Sequence, residues 1–320
     1  MILLFVALLV DRVFGDPDWL WRRVAHPVVG FGKIIDLFDG ALGEDRSDTN
    51  KAFAYGVALV VALMLACLLV WGIVLGLYSV MGALGWLVEL ALVVILLAQK
   101  SLHDHVKTVA DALEKDGIEA GRTAVSMIVG RNVSTLDTSG VSKAAVESLA
   151  ENYSDGVVAP VFWYSVAGLP GILIYKAINT ADSMVGHKTE KHLFFGRAAA
   201  KLDDWMNWPA ARLSAALICV AIAMKTGGKR ALTIFKTVMD EAPLHRSPNA
   251  GWPEASFAYG LGLTLGGPRS YGDTAIQAVA FNPTGRDKAS PADIVSALAL
   301  FERTGIVLWL LVALLLVFGF

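Results

Sequence analysis

The sequence predicts an all-α integral membrane protein: a polytopic helical bundle with about four spans, two broken or re-entrant segments and cytoplasmic helical loops. Three observations carry this. First, 55% of the 320 residues are hydrophobic and 18% are charged, with a mean hydropathy of +0.57; a soluble domain is about 45–50% apolar with glycine included and about 25% charged. Second, the charges are segregated. Residues 1–10 and 305–320 carry none and residues 52–98 carry only Glu89, so the other 247 residues hold 55 of the 56. Third, no run alternates polar and apolar residues for long enough to suggest a sheet. The net charge of −2 gives no basic field, which argues against nucleic acid as a partner. Cys67 and Cys219 lie in apolar runs and supply neither a disulfide framework nor a zinc spacing.

Residues 1–10 lack the basic n-region and cleavage site of a signal peptide and are short for a span, so they read as a retained, partly inserted helix. Two crossings of about 20 residues each fit the next apolar block, as 52–80 and 84–99 with a turn at Gly82 and Gly85. Lys51 and Lys100 bracket the pair, which puts both outer ends in the cytoplasm. In the cytoplasmic segment 100–156, Leu102, Val106, Val109 and Leu113 recur at helical spacing ahead of Gly117, and Ser142 can cap a helix running to about Tyr153.

Pro160, Gly168, Pro170 and Gly171 interrupt the apolar stretch 157–178. If it and 209–224 both crossed, Lys188, Lys191, Arg197 and Lys201 of segment 179–208 would face outward, against the positive-inside rule. Both stretches are therefore expected to be broken or re-entrant, with irregular backbone buried in protein or lining a cavity. The third cytoplasmic segment, 225–303, holds an amphipathic helix from Gly228 to Glu241 and an ordered Pro-, Gly-, Ser- and Asn-rich loop region over 242–291. Residues 305–320, behind Glu302 and Arg303, form the last span, and the chain reads as one membrane-embedded domain.

Polar residues gather in four places. Glu147, Glu151 and Asp155 lie four apart, which on one helix face gives either a cation site or a solvated acidic face. Asp203 and Asp204, followed by Asn207, are hard oxygen ligands suited to magnesium, or a surface pair. The stretch YKAINTADSMVGHKTEK, from Tyr175 to Lys191, offers Lys176, Asn179, Asp182, Ser183, His187 and Lys188 beside a membrane-facing break, where polar groups mark a site by default; its lysines suit lipid phosphates as well. In HRSPNAGWPEASFAYGLGLTLGGPRSY, His245, Arg246, Ser247 and Asn249 stand on a proline-fixed turn, and Gly266, Gly267 and Arg269 form an anion-accepting loop. No nucleotide-binding loop is present, because Gly186-His187-Lys188-Thr189 lacks the GK[ST] order, so an ATP site must be built differently. Glu89, alone in its helical pair, is either functional or paired with a neighbouring helix.

The order of these motifs carries a resemblance. LVDRVFGDP, HPVVGFGK, ESLAENYSDGVVAPVFW, GLPGILIYKAINTADSMVGHK, FGRAAAKLDDWMNWPAARLSA, HRSPNAGWPEA and LGGPRSYG together resemble adenosylcobinamide-phosphate synthase, the integral-membrane cobalamin-biosynthesis family often called CbiB or CobD. One departure is the extra alanine in Pro209-Ala210-Ala211-Arg212, and the least matched parts are 40–100 and 272–320. The resemblance implies a multi-pass protein of the bacterial or archaeal cytoplasmic (inner) membrane, with its active site on the cytoplasmic side. It implies an ATP- and Mg2+-dependent ligase joining the carboxylate of adenosylcobyric acid to the amine of aminopropanol phosphate, in contact with membrane lipid and other late cobalamin-assembly enzymes.

On that chemistry Glu147, Glu151, Asp155, Asp203 and Asp204 are expected to hold the metal, with the first three or Asp182 able to take the amine instead, and Asp182, His187 and His245 are expected to be catalytic. Substrate and phosphate contacts are expected from Arg12, Asp16, His26, Asn179, Lys188, Arg246, Ser247, Asn249, Glu254, Gly266, Gly267 and Arg269. Trp163, Trp205, Trp208 and Trp252 are candidate walls for a corrin. The rival from another class is a transporter of a cobamide or other anionic metabolite, which shares re-entrant helices but predicts an inverted repeat that the sequence does not display. A non-catalytic scaffold would leave the paired acids without a purpose.

Overall fold

The computed structural model describes residues 1–320 other than 16–20, 22, 24, 25, 44–47, 188, 268, 272, 273, 277, 278 and 320, and describes the backbone alone at 269–271 and 274–276. The described chain is mostly helical and forms two compact units, where the sequence suggests one domain. The first unit comprises Met1–Ala98 and Ala159–Asn207, the second Gln99–Val158 and Trp208–Phe320. Five helical stretches are long and apolar enough to cross a membrane, against the four expected: Thr49–Met81, Ala83–Lys115, Thr138–Val185, Arg197–Thr226 and Pro291–Val317. The third and fourth bury 56% and 61% of their apolar windows within the protein, while the others bury 28–33%. The sparsely buried helices present Leu65, Leu69, Ile73, Leu310 and Leu314 outward, as lipid-facing surfaces do.

In the first unit, helix α1 (Ile2–Phe14) extends beyond the ten residues expected. Helix α2 (Pro27–Leu42) starts on a proline whose missing N–H costs nothing there. Helices α3 (Thr49–Met81) and α4 (Ala83–Leu96) turn at Gly82, where φ is 51°. Close approach is required beside the turn, since a Cβ on Gly85 would fall 2.8 Å from the Tyr78 backbone. Glu89 is paired: Tyr78 and Tyr164 donate to its two oxygens at 2.8 and 2.7 Å. A carboxylate in an apolar helix thus has both oxygens satisfied by hydroxyls from elsewhere in the unit.

Helix α8 (Ala159–Val185) is broken at Gly168 (φ 62°, ψ −150°), with Pro170 just beyond, as expected for 157–178. The other expected break is absent. Residues 209–224 are the second half of α9 (Arg197–Thr226), which runs through Pro209 because one proline removes a single backbone donor and neighbouring turns hold the helix.

The second unit holds α5 (Gln99–Lys115), with Leu102, Val106, Val109 and Leu113 buried as one stripe, then α6 (Ile118–Ser126) after Gly117, where φ is 86°. Helix α7 (Thr138–Tyr153) begins four residues before the expected cap. Asp137 is the N-cap, accepting from Gly140 N–H at 2.7 Å, while the Ser142 hydroxyl donates back to Thr138 O. A π-helix (Ser154–Val158) follows. Helix α10 (Gly228–Glu241) lies where its periodicity places it. The region read as loop contains α11 (Gly251–Leu261) and two antiparallel ladders, β1 (Leu265–Gly266) with β4 (Ala280–Phe281) and β2 (Arg269–Tyr271) with β3 (Thr274–Ile276). Strands of two or three residues are too short to show an alternation. Helix α12 (Pro291–Val317) starts well before residue 305, at a capping box of Ser290 and Asp293.

Candidate functional site

In the first unit, α8 and α9 build a carboxylate centre. Tyr175 and Asn179 lie one turn apart on α8, and Asp203 and Asn207 one turn apart on α9. The Tyr175 hydroxyl donates to Asn207 Oδ1 at 2.8 Å, which turns the Asn207 amide nitrogen toward Asp203 Oδ2 at 2.9 Å. Asn179 Nδ2 donates to Asp203 Oδ1 at 3.2 Å. Asp203 is only 8% exposed and Asn207 1%, so two amides and no cation satisfy this buried carboxylate among the described residues.

Asp182 stands one turn beyond Asn179, half-buried and without a side-chain hydrogen bond among the described residues. Asp203, Asp204 and the exposed His187 all lie within its electrostatic reach. Gly186 fixes its place, because a Cβ there would fall 1.9 Å from Asp182 Oδ1. Gly196 has the same constraint, with Val185 O 1.7 Å from where its Cβ would be. Neighbouring carboxylates raise one another's need for positive charge.

In the second unit the three acids of the expected face meet different surroundings. Glu147 is buried, paired with Arg131 Nη2 at 2.8 Å, and its Oε1 accepts the Gly266 N–H at 2.8 Å. Glu151 is exposed. The π-helix begins before the half-buried Asp155, so α spacing no longer relates Asp155 to the other two.

The 245–250 turn is tied internally. Ser247 N–H donates to His245 Nδ1 at 3.1 Å, and Ser247 Oγ accepts from Asn249 and Ala250 N–H at 3.3 and 3.2 Å. Arg212, which the sequence marks only as a charge in an apolar stretch, lies 4.2 Å from the Trp208 ring centre and 4.6 Å from that of Trp252. Its Nη1 donates to Trp208 O at 2.9 Å and to Asn249 Oδ1 at 3.3 Å. The guanidinium thus stacks on two candidate corrin walls and braces the turn. The other two walls, Trp163 and Trp205, lie with ring centres 5.9 Å apart and planes tilted by 37°, and Trp163 Nε1 donates to Met206 O. Arg246 is exposed, with no hydrogen bond or ion pair among the described residues. Glu254 is buried at 1% exposure on α11.

Gly266 and Gly267 have φ of 79° and 88°, the left-handed region that glycine occupies without strain. Their amides are both engaged, the first by Glu147 and the second by Val279 O at 3.0 Å. His26 caps α2, with Nδ1 accepting from Val28 N–H at 3.2 Å, and Arg12 sits half-buried in the last turn of α1. Asp16 and Lys188 lie outside the described residues, as does the side chain of Arg269. Tyr175, Arg131 and Arg212 are participants that sequence reasoning missed, and Asn207, placed there beside the acidic pair, is a donor to Asp203. The four-residue spacing of Tyr175 with Asn179, and of Asp203 with Asn207, was the available signal.

Among the described residues no group of three or more His, Cys, Asp or Glu side chains is arranged to hold a metal ion. Magnesium asks for less than that, one or two carboxylates together with substrate phosphates and water. The hard oxygens of Asp182 with Asp203 or Asp204 fit this requirement, whereas both Glu147 oxygens are already bound by protein donors.

Comparison with known proteins follows the same line. A family model described as CobD/Cbib protein matches residues 4–301. The cobalamin biosynthesis protein CobD of Sinorhizobium fredii is 51% identical over 302 residues, covering 94% of this chain and 92% of the relative. Its counterpart from Rhizobium meliloti is 52% identical over 303 residues, with 94% and 92% covered. The Brucella suis protein of the same name is 50% identical over 307 residues, with 95% and 93% covered. No solved structure matches the chain.

Proposed function

Since the chain belongs to the CobD/Cbib family of cobalamin biosynthesis and is a membrane protein, we propose that it is the ATP-dependent ligase that joins adenosylcobyric acid to aminopropanol phosphate. The observation that supports this reading most is the convergence of Asp182, Asp203, Asp204 and His187, where the described residues give Asp203 two amides and no cation. A free carboxylate is a poor acyl donor. Transfer of the γ-phosphoryl group of ATP to the corrinoid carboxylate gives an acyl phosphate and ADP; attack by the amine then forms the amide bond and expels inorganic phosphate.

The amine arrives as an ammonium ion and must lose a proton before it attacks. Asp182 attracts the ammonium group and takes that proton, and His187 is within its electrostatic reach to pass the proton on. Asp203 and Asp204 would hold magnesium, which supplies charge neutralisation on the transferring phosphoryl group. The exposed Arg246, with Lys188 and Arg269, receives phosphate oxygens, and His245 on the braced turn serves proton transfer. Asn179 orients Asp203, while Ser247 and Asn249 shape the turn that carries His245 and Arg246. Exposed Trp205 and Trp208 offer planar apolar surface to a corrin.

The test is purified full-length protein in detergent with adenosylcobyric acid, aminopropanol phosphate, ATP and magnesium, with the amide product read by mass. Product that disappears in Asp182→Asn is the expected result. One feature favours the transporter instead, the break of α8 at Gly168 within an apolar helix. Absence of product together with corrinoid uptake into proteoliposomes would establish that second reading.

A further inference from the structure

One face of α7 carries three anchors, each four residues from the last. Ser139 Oγ accepts the Ala289 N–H at 2.9 Å, Lys143 Nζ lies 2.6 Å from Asp287 Oδ1, and Glu147 Oε1 accepts the Gly266 N–H at 2.8 Å. Together they hold both ends of the stretch between residues 263 and 289. The last anchor is the buried one: the side chains of Glu147 and Arg131 are 7% and 13% exposed, against 83% for Asp287. Arg131 is itself secured next to α7, since the Ser148 hydroxyl donates to Ile128 O at 2.7 Å.

The glycine turn leaves little freedom for a different arrangement. A Cβ on Gly266 would fall 2.4 Å from Val279 O, and the Gly267 N–H donates to that same carbonyl. Turn amides of this kind can receive an anion, and here the Gly266 N–H receives a carboxylate of the protein while the Gly267 N–H meets a backbone carbonyl.

We propose that Glu147 is a positioning residue, a charged strut that Arg131 neutralises and that sets the Gly266–Gly267 turn, and with it the stem of the 263–289 segment, on α7. It therefore differs in role from the metal ligand that its place in the acidic series suggests. The inference rests on the ligase reading only in that this segment carries Arg269, assigned above to phosphate.

The experiment uses the full-length protein in detergent. Hydrogen exchange is followed in peptides covering 263–267 and 279–286 for Glu147→Gln, Glu147→Ala and the double variant Arg131→Met with Glu147→Met. The double variant removes both charges together and so keeps the fold where a single removal strands a buried charge. Exchange of the stem should rise about tenfold or more in Glu147→Ala and in the double variant, and less in Glu147→Gln, which keeps an acceptor for Gly266. The Michaelis constant for aminopropanol phosphate should rise with it, while the magnesium concentration giving half-maximal rate stays at the wild-type value. Unchanged stem exchange in the double variant overturns the strut, and so does a Glu147→Gln enzyme whose main defect is a raised magnesium requirement. Faster exchange with an unchanged Michaelis constant supports the strut and overturns the assignment of this segment to phosphate. Should the wild type form no product, the ligase reading fails while exchange still decides the strut.

Discussion

Asp203 and Glu147 are both carboxylates held in the protein interior by long helices, and their surroundings are opposites. Glu147 meets an arginine and a backbone amide, so its charge is cancelled and its oxygens are used. Asp203 meets two neutral amides and two more carboxylates, and no cation among the described residues. A cancelled charge is architecture, whereas a carboxylate that is oriented by neutral amides suits the cation-binding role proposed above. The contrast separates residues that look alike in the sequence: Glu147 of the acidic series meets an arginine, and the pair at Asp203 gains Asp182 from another helix.

Four changes would break or sharpen this contrast. The largest effect is expected from Asp203→Asn, whose amide would set a donor against Asn179 or Asn207; product formation should fall about 100-fold or more, measured by mass with the fold checked by circular dichroism. Next is Glu147→Ala, which strands Arg131 in the interior and should cost about 3–5 kcal/mol of stability, read from denaturant unfolding in detergent. The double variant with Arg131→Met should recover most of that loss. A smaller effect belongs to Gly186→Ala, in which the added methyl displaces the Asp182 carboxylate and falls 2.6 Å from the Asp182 backbone oxygen; turnover should drop about tenfold, with some loss of thermal stability. The smallest is an effect of pH on the Lys143–Asp287 pair, whose carboxylate is exposed. Hydrogen bonding to Lys143 holds the Asp287 carboxyl below its usual range. A depressed carboxyl contributes stability above its unfolded value and loses it as pH falls through its folded value. Protection of the amides near Ala289, taken relative to their intrinsic exchange at each pH, should therefore stay flat from neutral pH down to about pH 4 and fall only below that.

The sequence made the hydrophobic architecture legible because lipid exposure writes itself as composition. The turn at Gly82, the stripe from Leu102 to Leu113 and the helix from Gly228 to Glu241 were all readable that way. Features set by distant partners were not. Glu89 takes a hydroxyl from Tyr164, 75 residues away, and Arg131 reaches Glu147 across 16. The π-helix removes Asp155 from a face that ideal α spacing predicts. Helix α11 was hidden by its Gly251 and Pro253, which suit a first turn as well as a loop. Proline misled in the other direction at Pro209, where α9 continues. At the site, the residue types were visible and their pairing was not, since four-residue spacing shows which side chains share a helix face but not what that face meets.

The most direct measurement compares turnover of Asp182→Asn and Glu147→Gln in one detergent preparation, at saturating adenosylcobyric acid, aminopropanol phosphate, ATP and magnesium. A loss of about 100-fold or more in the first, with most of the turnover kept in the second, is the expected result. Near-native turnover in Asp182→Asn, or an equal loss in both, would contradict the division between the two carboxylates.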